Sequence, residues 1–254
     1  MIASLDMYNW PESTAAFDLF WARIHDALTA QGITSPPALS VLDENLHDLA
    51  ASGDLLMGQI CGITYARAND EKHRFTALGA FVIDDASLLP GYYSSALITP
   101  KGHAPDLSTP QSLTAAINGY GSLSGWIVLA QYVSRQSQDD PFAQTLISGG
   151  HRQSAEMIAL GKADIAAIDL ISWKMLQRFA PDVTAKIDVV AYTPPRPGLP
   201  LVTSCHQPQE TITALKSALK TAFADNDVSA ALSDLGITGL ALHSDEDYRT
   251  LLEL

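Results

Sequence analysis

The chain has 254 residues, 47% of them hydrophobic and 17% charged, which is enough apolar content for the buried core of one or two domains and leaves no disordered tail. Its formal charge of −13, from 28 acidic against 15 scattered basic residues, argues against a nucleic-acid partner, whose phosphates demand clustered Lys and Arg. The longest apolar runs, 126–130 and 165–168, are far too short to span a bilayer, and the seven histidines form no cluster with metal-ligand spacing.

In chain order, short apolar runs alternate with amphipathic stretches. A strand is predicted over 2–5. Ser13 and Thr14 stand where they can cap a helix whose stripe, Phe17, Phe20, Ile24 and Leu28, follows helical spacing and which Gly32 ends. A strand over 39–42, a short helix over 44–51 and a strand over 55–60 come next. Cys61 and Gly62 lead to a short helix near 64–67, then to strands over 75–83 and 95–99. Past Pro105 the rhythm restarts with a strand over 116–118 and helices over 123–133 and 151–160. A strand over 163–168, a helix over 171–179 and a strand over 187–192 follow. Pro194, Pro195, Pro197 and Pro200 precede a last strand over 201–203, and Ile212, Leu215, Leu219 and Phe223 make another helical stripe. From there to the terminus the pattern reads as helical.

Strand–helix alternation predicts an α/β fold with mostly parallel sheets, and in such sheets ligands collect at the carboxyl ends of the strands. Tyr8, Gln59, Tyr93, Ser122, His151 and Asp169 all fall at or near predicted strand ends, which points to one central cleft.

Two segments carry the chemistry. Asn118-Gly119-Tyr120-Gly121-Ser122-Leu123-Ser124-Gly125 closes an apolar run and opens a helix, and Ser148-Gly149-Gly150-His151 opens the next. Free backbone N–H groups and the positive end of the helix dipole make each a site for a small oxyanion. With so acidic a chain, such binding must come from local dipoles and hydrogen bonds. Ser122 and Ser124 serve equally as plain helix caps. Asp169 could cap the helix that follows it or read a ligand amine or protonated oxygen. Tyr8 and Tyr93 could be core aromatics. Cys61 and Cys205 could pair or pack as separate thiols.

The chain resembles the phosphate/phosphite/phosphonate substrate-binding proteins of ABC transporters, within the type II periplasmic-binding-protein fold. The likeness runs over roughly residues 1–225 and leaves the C-terminal helices unplaced. Ala3-Ser4-Leu5-Asp6-Met7-Tyr8, Asp54-Leu55-Leu56-Met57-Gly58-Gln59-Ile60-Cys61-Gly62 and Tyr92-Tyr93-Ser94-Ser95-Ala96-Leu97 carry its first part. Ser122-Leu123-Ser124-Gly125, Gly149-Gly150-His151, Gly161-Lys162-Ala163-Asp164-Ile165-Ala166-Ala167-Ile168-Asp169 and Pro197-Gly198-Leu199-Pro200 carry the rest.

The resemblance implies two lobes, each a mostly parallel sheet flanked by helices. One is discontinuous, 1–94 plus 193–254, and the other is 95–192, with two crossover strands and a ligand cleft between the lobes. It implies a monomeric solute-binding protein with no cofactor, metal or catalysis, which captures a small oxyanion or phosphonate-type ligand and presents it to an ABC permease. Its anion-contacting hydroxyls fall on Ser122 and Ser124, with the amides of Ser124 and Gly125 adding donors. Its histidine falls on His151, its acid on Asp169, its first-lobe tyrosine on Tyr93 and a first-lobe loop on Gln59, while Tyr8 sits where the first strand meets its helix. Two departures stand out. Leu123 replaces the threonine that phosphonate binders carry between the serines. The segment Met1 to Tyr8 also lacks the basic and apolar regions of an export signal, so a cytoplasmic location stays open beside the periplasmic one that the family implies. A cytoplasmic enzyme or a ligand sensor on the same fold is the rival reading, with His151 and Asp169 as its acid–base candidates.

Overall fold

The computed structural model describes residues 1–42, 46–134 and 140–254. They form two compact units. The first joins residues 1–92 to 197–253, and the second holds residues 93–196 with Leu254.

The first unit is built on a five-stranded sheet in the order Ile2–Ala3, Leu55–Gln59, Pro200–Ser204, Phe75–Ile83, Ile237–Ala241. Helices Thr14–Thr29 and Gln209–Ala224 pack against each other. The predicted stripe of Phe17, Phe20, Ile24 and Leu28 is buried, and Phe20 meets Phe223 and Phe81 at ring separations of 5.2 and 6.2 Å. Aromatic pairs at these distances add to the area that they bury.

The second unit has a five-stranded sheet in the order Gln144–Ile147, Thr114–Ile117, Ile165–Asp169, Ser95–Pro100, Ile187–Tyr192. Its core includes Leu97, Ala115, Ile117, Leu129, Ile165 and Ala167. The strands Ile165–Asp169 and Ser95–Pro100 carry almost no exposed residue, which is why they read as continuous apolar runs.

Both sheets are mixed, where the alternation predicts mostly parallel ones. In the first, Ile2–Ala3 and Leu55–Gln59 are parallel, whereas Pro200–Ser204 runs antiparallel to both of its neighbours and Ile237–Ala241 antiparallel to Phe75–Ile83. In the second, Gln144–Ile147, Thr114–Ile117 and Ile165–Asp169 are parallel, and Ser95–Pro100 runs antiparallel to both of its neighbours. The reason is connectivity. Ser95–Pro100 and Pro200–Ser204 each follow the chain's passage from one unit to the other. No crossover helix precedes them to carry the chain back, so each starts beside the carboxyl end of a neighbour, as the pairings Ser95 with Asp169 and Leu201 with Gln59 show.

Two further expectations change. Residues 39–42 form no strand; their backbone is tied by Ser40 N–H to the Ala3 carbonyl at 2.8 Å, and Val41 is 83% exposed. The C-terminal stretch contains the strand Ile237–Ala241 before its last helix, Asp245–Arg249. Glu44, the predicted start of a helix, lies outside the described residues, and the segment is helical over Leu46–Ser52. Cys61 and Cys205 form no disulfide.

Candidate oxyanion site

Three adjacent parallel strands of the second unit deliver the chemistry. Thr114–Ile117 pairs in register with Gln144–Ile147, Ile117 opposite Ile147, and with Ile165–Asp169 on its other side. Their carboxyl ends therefore lie side by side, and each is followed by one candidate segment: Asn118 to Gly125, Ser148 to His151, and Asp169 itself.

The first segment leads into a continuous helical stretch whose opening turn, Leu123–Ile127, is a π-turn and which continues as Val128–Val133. Such widened turns recur at functional sites. Ser122 is its N-cap, and the Ser122 hydroxyl accepts from Gly125 N–H at 3.0 Å. The resemblance makes the Gly125 amide a ligand donor; the structure gives that amide to Ser122. What Gly125 does contribute is space. A Cβ there would lie 2.5 Å from Asn118 Oδ1 and 2.8 Å from Asn118 Cγ. Leu123 is buried in the core, so the position that departs from the family pattern faces inward.

Ser124 is 7% exposed, and its hydroxyl lies 2.9 Å from His151 Nε2. Its carbonyl accepts from the Ser95 hydroxyl at 2.9 Å, and Ser95 N–H in turn donates to Thr193 Oγ1. Motif reading assigns Ser95 and Thr193 no role. Only pairing across Ser95–Pro100 and Ile187–Tyr192 brings them there.

His151 opens the helix His151–Ala159. The loop before it is stitched by Ser148, whose hydroxyl reaches the Ile117 and Gly150 carbonyls and the Ser154 hydroxyl. The same His151 Nε2 lies 3.1 Å from Asp169 Oδ2. Burial holds the imidazole below its ordinary pKa, outweighing the nearby Asp169 charge and the Ala167 carbonyl, which both favour protonation. Burial thus favours the neutral ring.

Asp169 is 2% exposed and caps the helix Leu170–Phe179, its Oδ1 accepting from Ile171 and Ser172 N–H at 3.1 Å each. Of the two roles left open for Asp169, the cap is realised, and its second oxygen orients the histidine. Helix-terminal amides offset its negative charge.

The shared nitrogen matters chemically. A serine-hydrolase relay gives serine and aspartate separate ring nitrogens, so that a proton crosses the imidazole. Here Ser124 and Asp169 converge on Nε2, and no such relay exists. The arrangement holds a hydroxyl and an imidazole in fixed positions, which suits binding.

In the first unit, Gln59 is 2% exposed, ends Leu55–Gln59, and donates through Nε2 to the Leu199 carbonyl at 3.4 Å. Tyr8 is buried at 3%, with its carbonyl accepting from Ser13 Oγ and Trp10 N–H. Tyr93 is equally buried and begins the second unit. Among the described residues no group of three His, Cys, Asp or Glu side chains could hold a metal ion.

Two mixed α/β units, with candidate binding groups at the carboxyl ends of the strands, define a periplasmic-binding-protein fold, and comparison with solved structures agrees. A binding-protein component of an ABC phosphonate transporter from Pseudomonas aeruginosa superposes with a TM-score of 0.79 at 20% identity, covering 99% of this chain and 84% of that one. The Prochlorococcus marinus protein PhnD1, solved with methylphosphonate, gives 0.76 at 14% identity over 99% and 95% of the two chains. A Xanthomonas citri protein solved with ATP gives 0.73 at 15% over 100% and 94%. Identities this low show the fold alone. The family rests on sequence: residues 43–248 match the model for the ABC transporter, phosphonate, periplasmic substrate-binding protein, and the chain belongs to that family. The family is a substrate-binding component of a transporter, not an enzyme. The match runs through the C-terminal segment that the motifs leave unplaced. No curated protein matches the chain.

Proposed function

We propose that this chain captures a phosphonate or a closely similar small oxyanion through Ser122, Ser124 and His151, assisted by the helix-terminal amides around them and by Asp169 behind the histidine. The observation that carries this is the convergence of Ser124 and Asp169 on one nitrogen of His151, a largely enclosed histidine at the start of a nine-residue helix. An arriving oxyanion finds a hydroxyl donor, the dipole of that helix and an imidazole that its charge can protonate. Tyr8, Gln59 and Tyr93 are further candidate ligand contacts, and the loaded form is what a permease reads in the periplasm. The working form is the monomer, and nucleic acid is no partner of so acidic a chain.

A thermal-shift and calorimetric screen tests this with methylphosphonate, 2-aminoethylphosphonate, phosphite, phosphate, sulfate and ATP. A phosphonate or another small oxyanion bound and recovered unchanged supports the reading. Binding of ATP without the small oxyanions would move the ligand class to nucleotides, and binding of none would remove the oxyanion site.

A further inference from the structure

We propose that the Asn118 carboxamide is a further oxyanion donor, placed by the fold and assigned no role by any motif; this rests on the oxyanion reading above. Asn118 directly follows the strand Thr114–Ile117, at the junction of both glycine-containing segments. Its backbone carbonyl accepts from Gly149 N–H at 3.2 Å, beside the bond from Ser148 N–H to the Ile117 carbonyl at 2.7 Å, and so anchors the histidine-bearing segment. Its side chain turns to the other segment and lies over Gly125, where the missing Cβ leaves room for it.

The two ends of the carboxamide differ. Oδ1 is buried and has no hydrogen-bond partner. An acceptor left so costs stability, and a glycine Cα–H beside it repays only a fraction. No ligand can reach an atom that water cannot. Nδ2 also makes no hydrogen bond to the described residues, but it is not among the atoms shut away from solvent. The carboxamide packs against Gly125, where the Ser122 hydroxyl also lies close, and its two N–H donors are unspent on the segment that carries Ser122 and Ser124. A primary amide packed this way donates to an oxyanion at little cost in side-chain entropy.

The test is titration calorimetry of the whole chain with methylphosphonate, using Asn118→Ala, Asn118→Asp and Ser124→Ala, each checked for folding by its ligand-free melting temperature. Asn118→Asp keeps an oxygen over Gly125 and the backbone bond to Gly149, and replaces the donor with a charge. Loss of about tenfold in affinity for Asn118→Ala, and of at least about a hundredfold for Asn118→Asp, is expected. Binding by Asn118→Ala within twofold of wild type overturns the proposal, whatever Asn118→Asp does, since charge alone could weaken the latter. If Asn118→Ala does not fold, retention of affinity in Asn118→Asp overturns it. Weak binding by Ser124→Ala beside intact binding by Asn118→Ala would leave the oxyanion site standing without Asn118. Failure of the wild type to bind methylphosphonate, phosphite, phosphate or sulfate removes the site and this donor together.

Discussion

His151 is the residue on which most turns. Burial of most of its ring holds its pKa below the ordinary value near 6.5, so on acidification the unfolded chain takes up a proton there before the folded chain does. Its contribution to stability is therefore complete above the ordinary histidine range and is lost as pH falls through that range toward the folded value. The melting temperature should drop on acidification below about pH 6.5, and His151→Gln should flatten that profile. A bound oxyanion reverses the balance by favouring the imidazolium. Titrations near pH 7 in buffers of different ionisation enthalpy should show proton uptake in wild type and none in His151→Gln; zero uptake in wild type would mean that the anion does not sit against the ring. Ser124→Asp places a carboxylate where the oxyanion is proposed to bind. It should abolish methylphosphonate binding while leaving far-UV dichroism unchanged, and unaltered affinity would move the site elsewhere.

At the scale of elements, the C-terminal segment shows how a late stretch of chain completes the first unit. Gly91 has φ +77°, and a Cβ there would stand 2.4 Å from His243 Nε2 and 2.8 Å from Ala241 Cβ. Its carbonyl accepts from Gly198 N–H at 2.7 Å and contacts His243 Nε2 at 2.8 Å, while the Tyr248 hydroxyl donates to the Gly198 carbonyl at 2.9 Å. Tyr248 stacks obliquely on Tyr65 at 4.8 Å, and burial pushes both phenols up. Gly91→Ala combines left-handed strain with a clash and should cost about 2–4 kcal/mol, lowering the midpoint of urea unfolding without changing its slope. Tyr248→Phe strands a buried carbonyl and should cost about 1–2 kcal/mol. A midpoint unchanged in both variants would mean that the segment is an appendage of the unit.

At the scale of the molecule, a charge of −13 gives an anionic ligand no long-range attraction, so affinity must be local. Ligand at a hundredfold its dissociation constant stabilises by about 2.7 kcal/mol, or roughly 5 to 10 °C in melting temperature for a chain of this size. A shift of that order with methylphosphonate and none with a neutral analogue is the expected pattern. Equal shifts with both would point to an apolar ligand surface.

Much of this is legible in the sequence. The stripes at Phe17 and Ile212, the buried runs at 55–59 and 165–169 and the glycine–serine helix starts follow from local periodicity, which each segment carries within itself. Ser122 and Ser124 could be read as caps, and Ser122, His151 and Asp169 as strand-end candidates, because polar side chains where an apolar run gives way to a helix have few other local uses. Tertiary structure alone decided the rest. Whether Ser95–Pro100 and Pro200–Ser204 run with or against their neighbours depends on the end of the sheet at which the chain arrives. The strand Ile237–Ala241 exists because Phe75–Ile83 offers it an edge. The meeting of Ser124 and Asp169 on one nitrogen of His151, the loss of the Gly125 amide to Ser122 and the seat of Asn118 over Gly125 join residues from three strands. No pattern along a chain reports an angle at a shared atom, since it is the register between strands that sets it.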